Sequence, residues 1–166
     1  MRADRFFDIP AISAGAPSAR VNLDVLQKHI GFAAHRAMLV LLREFVAATG
    51  GVRPVTFNAM VLIGANPGIT QSDLASTLML DKGTAAHLLS DLEKQGWIER
   101  RARLNDRRWK GVYLSPSGVE EVARLKGAIR ELEVRFHTLF TPDEHRQLIE
   151  LLNRISDVVE FQEEQP

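Results

Sequence analysis

Apolar residues recur at steps of three and four through Leu23, Leu26, Ile30, Ala34, Ala37, Leu41 and Phe45. That spacing lines one face of a helix with 3.6 residues per turn, so one long amphipathic helix is predicted. Asn22 offers its N-cap and Gly50-Gly51 stops it. A second helix carries Phe57, Met60, Val61 and Ile63, with Thr56 as its cap and Asn66-Pro67-Gly68 as the closing turn. Thr70 and Asp73 then make a capping-box-like pair ahead of Leu74, Ala75 and Leu78, the buried face of a short helix. Met79-Leu80 leaves room only for a tight connection before Asp81, which caps a further helix that Gly96 ends. Two short capped helices joined this closely read as a helix-turn-helix.

After Gly96 the period changes from helical to alternating. Trp97 to Arg101 predicts a strand, Leu104-Asn105-Asp106 a turn, and Trp109 to Leu114 the returning strand, with Gly111 as its weak point. A β-hairpin following a helix-turn-helix is a wing. Ser115-Pro116 opens a long helix with proline at its first position, carrying Val119, Val122, Leu125, Ile129, Leu132, Phe136 and Leu139. Thr141-Pro142-Asp143-Glu144 is a complete capping box for a last helix, with Leu148, Leu151, Leu152, Ile155, Val158 and Val159 as its inner face. The fold class is mainly α with a small β-hairpin, a winged helix-turn-helix between long N- and C-terminal helices. Residues 1–20 lack periodicity and contain Pro10 and Pro17, and are expected to form a flexible arm.

Charge changes this picture by giving it a direction. The 166 residues are formally neutral, with 21 Lys and Arg against 21 Asp and Glu. Residues 94–110 nevertheless hold seven cations against two anions, and residues 141–166 seven anions against two cations. The basic block falls on the wing, beside the second helix of the helix-turn-helix, which is the face such a motif offers to DNA. The acidic block falls on the last helix. Neutrality then keeps attraction local. The absence of cysteine excludes disulfides and thiolate chemistry. No apolar run is long enough to span a bilayer, so a cytoplasmic chain without membrane association is expected.

Taken in order, Ile69-Thr70-Gln71-Ser72-Asp73-Leu74-Ala75, Leu88-Leu89-Ser90-Asp91-Leu92-Glu93-Lys94-Gln95-Gly96-Trp97-Ile98-Glu99-Arg100, Asp106-Arg107-Arg108 and Leu114-Ser115-Pro116-Ser117-Gly118 resemble the MarR family of bacterial transcription regulators. The likeness runs from about Leu23 to the C-terminus and is dense between Ile69 and Gly118. It implies a homodimer on a pseudo-palindromic double-stranded operator. Residues 21–51 and 115–166 would form the helical dimerisation region, and residues 52–114 the winged helix-turn-helix lobe. It implies a repressor released by a small molecule, often a phenolic or other aromatic acid; an aromatic carboxylate or its CoA thioester is the expected small-molecule effector from the candidate pocket residues, and no cofactor is expected. Arg108 matches the arginine that enters the minor groove, and Asp106 the carboxylate that orients it. A planar, lightly hydrated guanidinium suits that narrow, negative groove on physical grounds as well.

Arg101, Arg103 and Arg107 are candidate phosphate contacts, which position without specifying sequence. Thr70 and Gln71 open the first helix of the motif and are placed at the DNA face with them. On the second helix Lys82, Thr84, His87 and Ser90 stand where the family often carries Ser, Thr and Arg. His87 replaces a frequent arginine, so guanine-reading forks are scarce; the other reading of His87 is a solvent-facing residue with no role. Phe32, His35, Arg36, Phe57 and Met60 are candidate effector contacts, apolar with one cation. Plain core is the other reading for Phe32 and Phe57, and an ion pair for Arg36. His29 and His35, six apart on one helix, do not share a face, and no metal site or catalytic constellation is expected from spacing. The alternative function is a protein-interaction module on a winged-helix scaffold without DNA binding. Because the reading helix is poor in base-reading side chains, DNA shape under the wings should carry much of the selectivity. In a scan of operator substitutions, changes in the minor-groove segments should weaken binding at least as much as changes in the major-groove segments; binding sensitive to the major groove alone would contradict this.

Overall fold

The structure, a computed structural model, describes residues 21–103 and 106–163, with side chains over residues 21–101 and 111–157. The expected N-terminal arm and the turn residues Leu104 and Asn105 lie outside the described residues. Two compact units divide between Pro54 and Val55.

The first unit contains a short 3-10 helix, Asp24–Lys28, and helix α1, Ile30–Thr49. The single helix expected from Leu23 onward is therefore broken at His29. Asp24 takes a positive φ of 48°, and the Asn22 side chain accepts from its amide rather than capping an α-helix. His29 is the true cap: its Nδ1 accepts from the Phe32 amide at 3.1 Å. The periodicity continued through this break because a 3-10 turn and an α turn place every third residue similarly. Gly50 ends α1 in the left-handed conformation, as its sequence position predicts. Buried Thr49 donates its hydroxyl to the carbonyls of Phe45 and Val52.

The second unit contains the rest. Helix α2, Pro54–Ala65, starts at a proline, not after a Thr56 cap; Thr56 is buried inside it. Proline suits that first position because the missing N–H has no helical partner there. Helices α3, Gln71–Thr77, and α4, Lys82–Lys94, are followed by strands β1, Ile98–Arg103, and β2, Asp106–Leu114, which pair antiparallel. Helices α5, Pro116–His137, and α6, Pro142–Glu163, complete the chain. The described residues are mainly helical, with six α-helices and a two-stranded wing. No single helix among the described residues is long and apolar enough to cross a membrane.

The core of this unit draws Met60 and Ile63 from α2, Leu74 from α3, Leu89 and Leu92 from α4, Ile98 and Val112 from the hairpin, and Leu125 from α5. Gly111, which looked like a flaw in β2, is required there. A Cβ on it would lie 2.9 Å from the Gly68 Cα. This approach lets Gly68 donate to the Val112 carbonyl and Val112 to the Ile69 carbonyl, so the segment entering α3 is hydrogen-bonded to the wing.

Two expected inner faces are uncovered by their own chain. On α6, Leu148, Leu151, Leu152 and Ile155 are exposed, and the side chains of Val158 and Val159 lie outside the described residues. On α1, Ile30 and Leu41 are exposed as well, whereas Val122, Leu125 and Leu132 of α5 are buried as expected and only Val119 of its predicted face is exposed within the helix. The helical period located these stripes, but periodicity does not state whether the covering surface belongs to the same chain.

The base of the wing is the tightest fit. Ser115 and Ser117 both donate to the Gly96 carbonyl, at 2.5 and 2.8 Å, and the Ser115 amide donates to the Trp97 carbonyl. A Cβ on buried Gly118 would stand 1.9 Å from the Trp97 carbonyl oxygen. Gly118→Ala should cost about 3 kcal/mol through that overlap, read as a lowered urea midpoint at fixed protein concentration. Gly127→Ala in the same helix meets nothing within 4 Å among the described residues and should leave stability unchanged or raise it by up to about 1 kcal/mol, read as an unchanged or higher midpoint.

Candidate nucleic-acid interface

The interface is built from three pieces of backbone held in register: the start of α3, the exposed face of α4 and the hairpin. Thr70 caps α3, accepting from the Asp73 amide at 3.1 Å and donating its hydroxyl to the Asp73 carboxylate at 2.7 Å. Leu78, Met79 and Leu80 turn the chain. Met79 takes φ of 53°, and the Leu80 amide closes on the Ala75 carbonyl at 2.8 Å. Asp81 caps α4 through the Thr84 amide at 2.9 Å. The Gln71 side-chain amide reaches the Lys82 carbonyl at 3.5 Å, bringing the two helix starts together.

Helix α4 buries Ala85, Leu88, Leu89 and Leu92 and turns Lys82, Thr84, His87 and Asp91 outward, with Ser90 half-buried. Asp91 pairs with Lys94 at 3.3 Å. At the helix end Arg100 of β1 lies half-buried, its Nε 3.4 Å from a Glu93 carboxylate oxygen but without hydrogen-bond geometry.

On the hairpin, Glu99 pairs across the ladder with Tyr113, and Arg101 with Gly111. Exposed Arg101 forms an ion pair with Glu99, and its guanidinium lies over the Tyr113 ring at 5.0 Å. Glu99 and then the Tyr113 oxygen favour its charged form. This Glu99–Arg101–Tyr113 cluster was not foreseen. Its only sequence signal is the two-residue alternation of Glu99 and Arg101; Tyr113 joins through the register.

The ladder slips between Ala102, which pairs with Lys110, and Arg103, which pairs with Asp106. Asp106, expected in the turn, therefore opens β2, and residues 107–109 fall inside the slip. The side chains of Arg103, Asp106, Arg107 and Arg108 lie outside the described residues.

The candidate effector residues stand on two helices. Phe32, His35 and Arg36 are on α1, with the Arg36 guanidinium 5.8 Å from the Phe32 ring centre. Phe57 and Met60 are on α2, where Met60 is fully buried and Phe57 half-buried.

Several polar side chains at this interface have two tasks. The Thr84 hydroxyl donates to the Asp81 carboxylate at 2.5 Å, so Thr84 tightens the helix start as well as facing outward. That hydroxyl, and next the Thr84 amide, hold the Asp81 carboxyl below the ordinary carboxylate range. A depressed folded-state value means the contribution of this cap is present above the unfolded carboxyl pKa and fades as pH falls through the folded one. Asp81→Asn keeps an acceptor without the charge. The urea midpoint of the parent should therefore fall relative to that of Asp81→Asn as pH drops below about 4. Parallel midpoints would show that Asp81 is not a charged cap.

A family model described as the MarR family matches residues 53–110. A protein of Thauera aromatica described as a transcriptional regulatory protein for the hcr operon is 30% identical over 129 residues, covering 76% of this chain and 78% of its own. Among solved structures, the transcriptional repressor CouR bound to a 23-mer DNA duplex is 27% identical. Its TM-score is 0.79 over 83% of this chain and 99% of that one. CouR bound to p-coumaroyl-CoA is 25% identical, with a TM-score of 0.75 over 82% and 97%.

Proposed function

The chain belongs to the MarR family of DNA-binding transcriptional regulators, and from that premise we propose a homodimeric repressor that a small aromatic carboxylate, or its CoA thioester, releases from DNA. Such a protein is a regulator and not an enzyme. The observation that carries the reading is the joint exposure of Lys82, Thr84 and His87 on α4 with Arg101 on the adjoining hairpin. A helix face and a wing of this kind fit a major groove and its flanking minor groove. In the proposed assignment residues 52–114 form the DNA-binding lobe, and Arg108 is the groove-entering arginine, oriented by Asp106.

Dimerisation is supported by exposed apolar side chains on α1, on the last turn of α5 and the turn that follows it, and on α6. Met38 and Leu41, Val134 and Leu139, and Leu148, Leu151, Leu152 and Ile155 are all exposed. Each such side chain gains about 1.5–3 kcal/mol when fully buried. Residues 21–51 and 115–166 are accordingly the proposed clasp. The effector class is supported by the ligand of the CouR structure, p-coumaroyl-CoA. On α1, Arg36 over Phe32 offers a cation beside an aromatic ring, a chemistry suited to an aromatic acid. The scarcity of base-reading side chains on α4 is what favours a scaffold without DNA binding, and the Asp106-Arg107-Arg108 sequence of the wing opposes it.

Fluorescence anisotropy with DNA from upstream of the gene tests the proposal. Two symmetry-related reading helices require half-sites about 10 base pairs apart. Contact with about eight phosphates gives a slope of log K against log salt of about −7. Arg108→Glu should weaken duplex binding while sedimentation still reports a dimer. p-Coumaroyl-CoA or free aromatic acids should raise the dissociation constant, and Arg36→Ala should blunt that response. A monomer in sedimentation, or a salt slope near zero, would overturn the reading.

A further inference from the structure

The corner between α5 and α6 brings together three metal-ligating side chains that chain spacing keeps apart. Glu133 and His137 lie four residues apart at the end of α5, on one face of it. Thr138 to Thr141 turn the chain, and His145 follows within the first turns of α6, its amide closing on the Thr141 carbonyl at 3.0 Å. The His137 and His145 rings come to a centre-to-centre distance of 4.2 Å, tilted by 39°. One ligand atom from each of Glu133, His137 and His145 lies within 4.8 Å of the other two.

We propose that Glu133, His137 and His145 form a binding site for one divalent transition-metal ion, of which Zn2+ is the representative, pinning the end of α5 to the start of α6.

Three arguments support it. First, the ligand atoms are free: among the described residues, no hydrogen bond or ion pair engages any of the three side chains. Their charged neighbours are occupied differently. Asp143 pairs with Arg146, and Glu144 accepts from the Thr141 amide at 2.8 Å as part of the α6 cap. Second, the spacing is right. Ligands about 2.0–2.2 Å from a zinc ion in tetrahedral geometry lie roughly 3.3–3.6 Å from one another, so small side-chain rotations bring this set into range. Third, the ligand types are selective. Two imidazoles and one carboxylate suit zinc, nickel, cobalt and copper, and not magnesium or calcium, which take oxygen shells. The C-terminal carbonyls of α5 add a favourable negative potential beside His137.

Three protein ligands leave a fourth position for water. The ion would fix the angle at which α6 leaves the corner, and hence how exposed Leu148, Ile149, Leu151 and Leu152 are presented a few residues later. Metal binding itself does not depend on the proposed dimer, because all three ligands come from one chain.

The test uses untagged full-length protein stripped with EDTA, titrated with Zn2+ by calorimetry and with Co2+ by visible absorption. One equivalent per chain is expected, with cobalt bands of the strength that marks four-coordination. His137→Ala and His145→Ala should each weaken zinc binding by about 100-fold or more, and Glu133→Gln by about tenfold or more. His87→Ala should leave it unchanged. These side chains are exposed or half-exposed, so circular dichroism should confirm that the variants keep the parent's helix content. Amide exchange across residues 133–146 should slow when zinc is added. Binding that survives in the His137→Ala/His145→Ala double variant, or no binding at 0.1 mM zinc (about 100 times a micromolar dissociation constant), would overturn the site. Half an equivalent per chain would do so too, since it would mean that the ion bridges two copies.

Discussion

The interface depends on how the wing is closed at its base. Helix α4 ends at Lys94, and its last carbonyls accept from the Gln95, Gly96 and Trp97 amides. Just beyond it, the Gly96 carbonyl receives the hydroxyls of Ser115 and Ser117, and the Trp97 carbonyl receives the Ser115 amide. Gly118 allows this closeness because any side chain there would overlap the Trp97 carbonyl. The end of the reading helix, the two strands of the hairpin and the start of α5 therefore meet at one point. A second bond pair, between Val112 and the Gly68–Ile69 segment, ties the entry of α3 to the same hairpin. Hydrogen bonds to backbone carbonyls, not surface charges, thus hold the helix end against the wing.

Charge works on top of that frame. The cationic block on the hairpin is partly neutralised where it is described: Arg101 by Glu99, and Lys94 by Asp91. Exposed pairs of this kind contribute little to stability, but they orient the arginine. Tyr113 beneath Arg101 adds a flat support that preserves the charge while restricting its motion. The polar residues of α3 and α4 are similarly shared between tasks. Thr70 caps α3, Thr84 holds the Asp81 cap of α4, and Gln71 links the two helix starts.

The far end of the chain obeys a different constraint. Helix α6 has no buried residue among those described, and most of a helix's stability in a protein comes from packing its amphipathic face. Its Thr141–Glu144 capping box fixes where it starts, but lasting order requires its apolar stripe to be covered. The proposed clasp would supply that cover from a second copy. The corner holding His137 and His145 controls the direction in which the stripe is presented.

Much of this was legible from residues alone. Caps at Thr70, Asp81, Ser115 and Thr141, stops at Gly50 and Gly96, and the change of period after Gly96 are local signals, because each depends on atoms within a few residues. They located α3 to α6 and the hairpin. Local signals failed where alternatives compete within the same few residues: His29 takes the cap expected of Asn22, and Pro54 starts α2 ahead of Thr56. The family likeness was legible for the same reason, since it rests on ordered short motifs. What only the tertiary structure decided were contacts between residues distant in the chain. Gly111 is needed because Gly68 presses against it, Arg101 meets Tyr113 through strand register, and His137 meets His145 through a helix corner. A sequence specifies which side chains exist and which turns they favour, whereas the approach of two segments depends on packing summed over the whole unit.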